Sequence, residues 1–114
     1  MLRILVDECI NPRLADRLRS VLVDASVVTV RELKREGSKD HYLIPHIQGS
    51  FDVFLTNDKG FEFEHNLRRL SFGIIVLTAA NNQMPSYERL LDDLVRAIPG
   101  ARPGQVTHVA DPRR

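Results

Sequence analysis

Acidic side chains follow two short apolar runs of the chain. Asp7 and Glu8 come after Leu2–Val6, and Asp58 comes two residues after Asp52–Thr56. In an open parallel sheet, ligand sites form at the carboxyl ends of strands, so acids from neighbouring strands would converge there. Carboxylates held close raise each other's pKa, and a hard divalent cation is the usual reason for tolerating that. The pattern therefore predicts a site for Mg²⁺ or Mn²⁺ with Asp7, Glu8 and Asp58 as metal ligands.

A further carboxylate is available at Asp40, which opens a short predicted helix. Either it completes the acidic site, or it is the ordinary acid of a first helical turn, where the helix dipole favours negative charge. The same alternative holds for the other acids, because Asp or Glu after a strand commonly caps a helix or lines a solvated loop. Together with Asp7 and Asp58, Asp40 forms the predicted catalytic set.

Four side chains near these acids are predicted to bind substrate: Asn11, Arg31, Asn57 and Lys59. Asn11 is in the first place the N-cap of a helix. Arg31 begins a basic segment that is either a solvated loop or a contact for a phosphate backbone. Cys9 is predicted to be a small buried residue and not a nucleophile, because no histidine has an evident reason to lie beside it.

Composition narrows the function classes. The chain has 114 residues, a formal net charge of +1 and one cysteine. We expect a single intracellular domain without disulfides, because a lone cysteine has no internal partner and no secretory signal precedes it. The apolar runs are far shorter than the roughly 20 residues of a membrane span. A charge near zero gives no broad positive field, so any nucleic-acid role must rest on a local site.

The elements that must position these residues alternate along the chain. Short β-branched runs predict strands, and apolar residues at helical spacing predict helices. The predicted strands are Leu2–Val6, Ser26–Val30, Asp52–Thr56, Gly73–Thr78 and an edge strand at Val106–Val109; the predicted helices are Pro12–Leu22, a short one capped by Ser38 and shortened by Pro45, and Pro85–Ile98. The order predicts an α/β fold, a three-layer sandwich with a mostly parallel sheet.

Two regions have weaker patterns. Between the third and fourth strands, the spacing places Phe63, Leu67 and Leu70 towards the core. At the end of the chain, we expect an unfolded tail over residues 111–114, which leaves one domain over residues 1–110.

The order of these segments resembles the PIN-like family of small predicted nucleases, which includes toxin components of toxin–antitoxin systems. The matching segments are Leu2–Leu14, Val30–Leu33 with Gly37–Asp40, Asp52–Phe61, Gly73–Leu77 and the polar turn at Asn81–Asn82 before a long helix, together about residues 2 to 98. The resemblance implies a PIN-like fold with an acidic pocket formed by Asp7, Asp40 and Asp58, and Glu8 would lie near this pocket. It also implies that the pocket binds Mg²⁺ or Mn²⁺ and that the protein cleaves RNA.

One position departs from the family pattern. The family commonly has a second acid two residues after the one at Asp58, and this chain has Gly60 there. Glu62 and Glu64 are the alternatives, although neither matches the motif by position.

Two kinds of function are therefore open. The first is a cytoplasmic, metal-dependent endoribonuclease, a toxin whose partners are RNA, an antitoxin protein and a second copy of the chain, with no membrane. The second is a non-catalytic signalling or interaction domain, either receiver-like or a degenerate nuclease. A receiver needs a lysine on the fifth strand, and Val106–Ala110 has none.

Overall fold

A computed structural model describes residues 1–35 and 37–111, without the side chains of Asp40 and His41. Residues 112–114 of the predicted tail lie outside this range, whereas Asp111, its first residue, is buried and donates its N–H to the carbonyl of Thr78 at 3.0 Å. The strands are β1 Leu2–Val6, β2 Ala25–Thr29, β3 Val53–Thr56, β4 Gly73–Thr78 and β5 Val106–Ala110, and the helices are α1 Pro12–Val21, α2 Asp40–Ile47, α3 Phe61–Glu64, α4 Met84–Glu88 and α5 Leu91–Ala97. Two short 3₁₀ turns, Leu67–Arg69 and Ile98–Gly100, complete the elements.

The five strands form one sheet in the order β2-β1-β3-β4-β5. All of the pairings in the described part of the chain are parallel, which confirms the predicted α/β fold. The strand order reverses between β1 and β3, and this reversal leaves a crevice at their carboxyl ends. The structure therefore brings the two predicted acidic segments to the same edge of the sheet.

Helices cover both faces of the sheet. One core layer lies against α1, α4 and α5, with Leu14, Leu18, Tyr87 and Leu94 among its buried members. The other lies against α2 and α3 and contains Leu43, Ile47, Phe54, Phe61 and Phe72. Among the described residues, no helix combines the length and the apolarity of a membrane span.

Helix α1 begins where the sequence predicts. The side chain of its N-cap, Asn11, accepts a hydrogen bond from the backbone N–H of Arg13 at 3.0 Å, and Pro12 occupies the first helical position. Capping of this kind fixes where the chain turns away from the carboxyl end of β1. The loop that carries Asp7 is therefore only five residues long, from 7 to 11.

Helix α2 differs from its prediction at the cap. The N-cap is Lys39, without a side-chain cap bond, because the helix starts one residue too late for Ser38 to serve. Pro45 lies inside this short helix, as expected.

The predicted helix Pro85–Ile98 is divided into α4 and α5. The N–H of Leu90 bonds the carbonyl of Tyr87 at 2.9 Å, an i to i−3 bond that tightens the chain between the two helices. The apolar stripe nevertheless faces the core, as predicted, with Leu90, Leu94 and Ile98 all buried.

The inward position predicted for Phe63 is wrong. Phe63 is 82% exposed, whereas Phe61 is 1% exposed and packs its ring 5.1 Å from that of Phe54. A single-turn helix such as α3 has too few residues for periodicity to distinguish its faces. The other two expected positions are inward, since Leu70 is buried and Leu67 packs against the same core.

Candidate active site

Asp7 directly follows β1, at the crevice where the strand order reverses. Its backbone N–H bonds the carbonyl of Leu55 on β3 at 2.9 Å, which ties the loop to the neighbouring strand. Its Oδ1 accepts from the N–H of Glu8 at 2.8 Å, and its Oδ2 accepts from the hydroxyl of Thr56 at 2.7 Å. Donors from two segments therefore hold this half-buried carboxylate in one orientation.

Thr56 is the residue that sequence reasoning missed. It is the last residue of β3 and is fully buried. Its hydroxyl donates to Asp7 and accepts from the N–H of Asp58 at 3.0 Å. The hydroxyl of Thr56 thus joins the two loops that carry the predicted acids. It links the backbone N–H of Asp58 to the carboxylate of Asp7 through two consecutive hydrogen bonds.

Glu8 points across the sheet edge towards the segment before α2. Its two carboxylate oxygens lie 2.9 and 2.8 Å from the N–H of Gly37, to which both accept. Gly37 is three residues before Asp40, so this contact brings the start of α2 to within about 11 Å of chain length from Glu8. The position of Asp40 is compatible with the predicted acidic set, while its side chain lies outside the described part of the structure.

Arg31 shares a cavity with the predicted acids. The cavity has a volume of about 380 Å³ and lies between the carboxyl ends of β1 and β2; it is lined by Asp7, Glu8, Ile10, Pro12, Thr29 and Arg31. Acidic oxygens and an exposed guanidinium in one cavity could hold a cation and a phosphate side by side.

A second cavity of about 320 Å³ lies at the ends of β3 and β4, with Asn57, Lys59, Asn82 and Tyr87 in its lining. Lys59 is exposed, so its ammonium group can reach an anion from the solvent side. The two cavities lie on either side of the Asp7 loop, one towards β2 and the other towards β4.

Three loops are tied together by amides and a phenol. Asn82 Oδ1 accepts from the N–H of Asn11 at 2.9 Å and from the hydroxyl of Tyr87 at 2.5 Å. Burial raises the pKa of Tyr87, so this hydroxyl stays protonated as a donor. Asn57 Nδ2 donates to the carbonyl of Cys9 at 3.3 Å. The Nδ2 of Asn11 also donates to the carbonyl of Asn82 at 3.1 Å. The side chains of Asn11 and Asn57 therefore brace the Asp7 loop, whatever contact they also make with substrate.

Asp58 is exposed and bends its own backbone. Its Oδ1 accepts from the N–H of Gly60 at 2.9 Å, and its carbonyl accepts from Phe61 at 3.3 Å, a turn that leads into α3. Gly60 itself has φ −80° and ψ −17°, ordinary right-handed values that any residue adopts. A Cβ added at Gly60 would lie 2.9 Å from Oε1 of Glu64, so the carboxylate of Glu64 occupies the space of the missing acid.

Glu62, the other alternative to the missing acid, is directed elsewhere. Its Oε2 lies 2.7 Å from Nε2 of His108 on β5. Two strands, β3 and β4, separate β5 from β1, a distance of about 14 Å at the usual strand spacing. The carboxylate of Glu62 is therefore directed at the β5 side of the sheet and not at β1, which Asp7 follows.

Cys9 is exposed, so the prediction that it is buried is wrong. Its thiol lies 3.3 Å from Oδ2 of Asp7 and donates to it. Although the residue is exposed as a whole, partial burial of its sulfur, and next the negative charge of Asp7, raise the pKa of this thiol to about 11. A thiol with this pKa is protonated at neutral pH, which makes Cys9 unsuited to act as a nucleophile.

The donors at this edge are hard oxygens, which suit Mg²⁺ and Mn²⁺. In the described part of the chain, no group of three or more acidic, histidine or cysteine side chains surrounds a possible metal position. Mg²⁺ commonly takes only one or two carboxylates and completes its coordination with waters and substrate phosphates. Among the described side chains, Asp7 together with either Glu8 or Asp58 would hold such an ion.

Comparison with protein families matches residues 2–79 to the PIN like domain. This range covers well over half of the chain and agrees with the fold, so the protein belongs to the PIN-like domain family. No curated protein and no solved structure gives a significant match. The matched range contains β1 to β4 and the positions of all three predicted catalytic acids, whereas α4, α5 and β5 lie beyond it.

Proposed function

We propose that this chain is a metal-dependent endoribonuclease of the PIN-like type and the toxin of a toxin–antitoxin pair in the cytoplasm. Family membership supports the nuclease class. The observation that carries the site is the Thr56 hydroxyl, which joins the Asp7 carboxylate to the Asp58 backbone at the crevice between β1 and β3. A bound Mg²⁺ or Mn²⁺ would supply an activated water and stabilise charge on the phosphate.

The chain's own residues would position the substrate. Arg31 lies in the cavity with Asp7 and can hold a phosphate by paired N–H donors. Lys59 lies in the second cavity and can hold the phosphate backbone on the other side. An RNA strand bound to both cations would pass over the Asp7 loop, with the scissile bond beside the acids.

The receiver-like alternative has less support. A receiver carries its phosphorylated aspartate at the end of the third strand, and this position is occupied by buried Thr56. The nearest aspartate, Asp58, is engaged in a turn with Gly60. The degenerate-nuclease alternative differs from our proposal only in catalysis, and an assay for cleavage separates them.

The experiment is cleavage of a labelled single-stranded RNA with Mn²⁺ or Mg²⁺, with and without EDTA. We expect cleavage that requires metal and falls at least about a hundredfold in Asp7→Asn, because a principal ligand is lost. Asp52→Asn is the matched control: its carboxylate is bound to Arg3 at the opposite end of β3, so cleavage should persist. Equal cleavage by wild type and Asp7→Asn would contradict the proposal.

The antitoxin proposal follows from the family type and has its own test. The protein should co-purify with the product of a small neighbouring gene when the two are co-expressed, and its RNA cleavage should then be suppressed. Retained cleavage in the co-purified complex would contradict a toxin–antitoxin pair while leaving the nuclease proposal intact.

A further inference from the structure

The cavity at the carboxyl ends of β3 and β4 contains three asparagines whose amides are held by internal hydrogen bonds. Asn57, Asn81 and Asn82 line this space of about 320 Å³, together with the apolar residues Leu77 and Ala79. Sites for small ligands have this size and combine apolar walls with a few fixed polar groups. An amide side chain carries both a donor and an acceptor, so the chemistry of the cavity depends on which end of each amide is left for a ligand.

The amide of Asn82 can take only one orientation. The backbone N–H of Asn11, which can only donate, lies 2.9 Å from one end of this amide, so that end must be the oxygen. The hydroxyl of Tyr87 then donates its single hydrogen to the same oxygen. None of the described residues accepts a hydrogen bond from Nδ2 of Asn82, so this side chain offers a donor to the cavity.

The orientation of Asn57 follows from that of Asn82. Because the hydrogen of the Tyr87 hydroxyl is already used, its oxygen can only accept from Asn57, 3.4 Å away. The carbonyl of Cys9, 3.3 Å from the same end of Asn57, can also only accept. Both partners therefore require Nδ2 at this end, and Oδ1 of Asn57 is the atom left for a ligand.

Asn81 offers a second donor. Its Oδ1 accepts from the backbone N–H of Gln83 at 3.0 Å, which alone fixes the amide. The hydroxyl of Ser86 adds a bond at 2.8 Å that this assignment does not need. The cavity thus presents two N–H donors, from Asn81 and Asn82, and one carbonyl acceptor, from Asn57.

We propose that this cavity binds the base of a pyrimidine nucleotide in the RNA strand, beside the phosphate held by Lys59; the choice of RNA as the ligand rests on the proposed function. The Watson–Crick edge of uracil or cytosine carries two acceptors and one donor group, the complement of two donors and one acceptor. On the same edge, adenine carries one of each, and guanine carries one acceptor and two donors. A purine would therefore leave a polar group of the cavity unpaired. The hydroxyl of Thr78, also in the lining, can donate or accept and favours neither class.

The experiment is NMR titration with the monophosphates of uridine, cytidine, adenosine and guanosine, without divalent metal, followed through the side-chain amide signals of the three asparagines. The four probes share ribose and phosphate, so the ratios of their dissociation constants report the base alone. We expect the two pyrimidine nucleotides to bind at least about fivefold more tightly than the two purine nucleotides, because one lost hydrogen bond corresponds to about that factor.

Asn82→Asp changes one group of the pattern. Its carboxylate can still accept from Asn11 and Tyr87, but the donor offered to the cavity becomes an acceptor, and two acceptors with one donor match guanine. The preference for pyrimidine nucleotides over guanosine monophosphate should therefore fall at least about fivefold, while the added charge weakens all four probes alike. Asn66→Asp makes the same change in a separate cavity, beside Gln48, and should keep the wild-type ratios.

A wild type that binds none of the four probes, or binds them equally, would overturn the proposal, as would unchanged ratios in Asn82→Asp. Circular dichroism reports whether Asn82→Asp folds. If it does not, Asn81→Asp makes the equivalent change at the other donor, and unchanged ratios in that variant would overturn the proposal in the same way.

This titration needs neither a metal ion nor cleavage, so its failure is distinguishable from failure of the nuclease proposal. A pyrimidine preference in a protein that cleaves no RNA would support the cavity and contradict the nuclease. RNA cleavage without any preference for a neighbouring pyrimidine would overturn the role of the cavity and leave the nuclease proposal intact.

Discussion

Asp7 and Asp58 are acids of the same family motif set, yet the structure holds them differently. Asp7 is half-buried, and its carboxylate accepts from the N–H of Glu8 and the hydroxyl of Thr56. Asp58 is exposed, and the contact of its carboxylate is with the backbone of its own turn. Other segments of the fold therefore orient the carboxylate of Asp7. The carboxylate of Asp58 instead stabilises the turn in which it lies.

This difference indicates how the two acids would contribute to a metal site. A ligand that is already oriented loses little entropy on binding an ion, because its supporting hydrogen bonds fix its direction beforehand. An exposed ligand on a turn can adapt to the ion but contributes less to its affinity. We therefore expect the site to depend strongly on Asp7 and its support, and weakly on Asp58.

After the loss of Asp7 itself, the largest effect should follow removal of the hydroxyl that supports it. Thr56→Val keeps the shape of the side chain and deletes the hydroxyl that joins the two loops, so RNA cleavage should fall by about 10- to 100-fold. Stability should fall by about 1–3 kcal/mol, because the N–H of Asp58 and Oδ2 of Asp7 each lose a partner. Rates of cleavage and urea denaturation measure the two effects.

Ser86→Ala is the control for this change. It also removes a buried hydroxyl, one that donates to Asn81 Oδ1 at 2.8 Å and does not touch Asp7. It should lower stability while leaving cleavage nearly intact. Cleavage that survives Thr56→Val at the wild-type rate would show that the orientation of Asp7 does not matter.

A smaller loss is expected from Asp58→Asn, less than about tenfold in cleavage, since this exposed carboxylate is not held in place by other segments and must be ordered when the ion binds. The amide oxygen of asparagine can still accept from Gly60, so the turn should survive the change. A loss as large as that of Asp7→Asn would make the two acids equal and remove the contrast between them.

Restoring an acid at Gly60, where the family commonly has one, should strengthen metal binding. Gly60→Asp should tighten Mn²⁺ binding by about two- to fivefold, because it adds a carboxylate beside Asp58 and the backbone at Gly60 already suits any residue. The flexible end of Glu64 must move, and Oδ1 of Asp58, 3.3 Å from the added Cβ, must give by a few tenths of an ångström. Gly60→Asn adds nearly the same volume without the charge and should bind Mn²⁺ as the wild type does. Equal affinity for the two variants would exclude a ligand at this position.

The smallest effect concerns Cys9. Its pKa of about 11 lies above the usual value for a cysteine thiol, so the reactive thiolate is scarce at neutral pH and increases as the pH rises towards 11. Alkylation by iodoacetamide at pH 7 should be about a hundredfold slower than for a free thiol, in proportion to the thiolate fraction. Cys9→Ser should cleave RNA within about twofold of the wild-type rate. A complete loss of cleavage in that variant, with its fold preserved, would indicate a thiol mechanism.

The sequence predicted the strands well because buried parallel strands appear as continuous β-branched runs. Once β1 and β3 are taken as neighbouring parallel strands, Asp7 and Asp58 must lie at the same edge of the sheet. The role of Thr56 was not predictable, because a threonine at the end of a strand has the β-branched shape that any strand favours. Its hydroxyl became informative only when the partners of that hydroxyl were known.

The directions of side chains on short helices could not be predicted from the sequence either. Glu62 and Glu64 are two residues apart on α3, and one faces His108 while the other faces Gly60. The contact between Asn11 and Asn82 joins residues 71 positions apart, and no local sequence pattern predicts it. Such contacts depend on how the elements pack against one another, and the periodicity of apolar residues in the sequence does not determine that packing.

The central claim is that Asp7 holds a divalent metal ion, and direct titration with Mn²⁺ tests it. The electron paramagnetic resonance signal of free Mn²⁺ measures binding to wild type, Asp7→Asn and Asp52→Asn without reference to RNA. We predict that Asp7→Asn weakens binding at least about tenfold, as loss of a principal ligand should, and that Asp52→Asn leaves it unchanged. Equal binding by wild type and Asp7→Asn would contradict the claim.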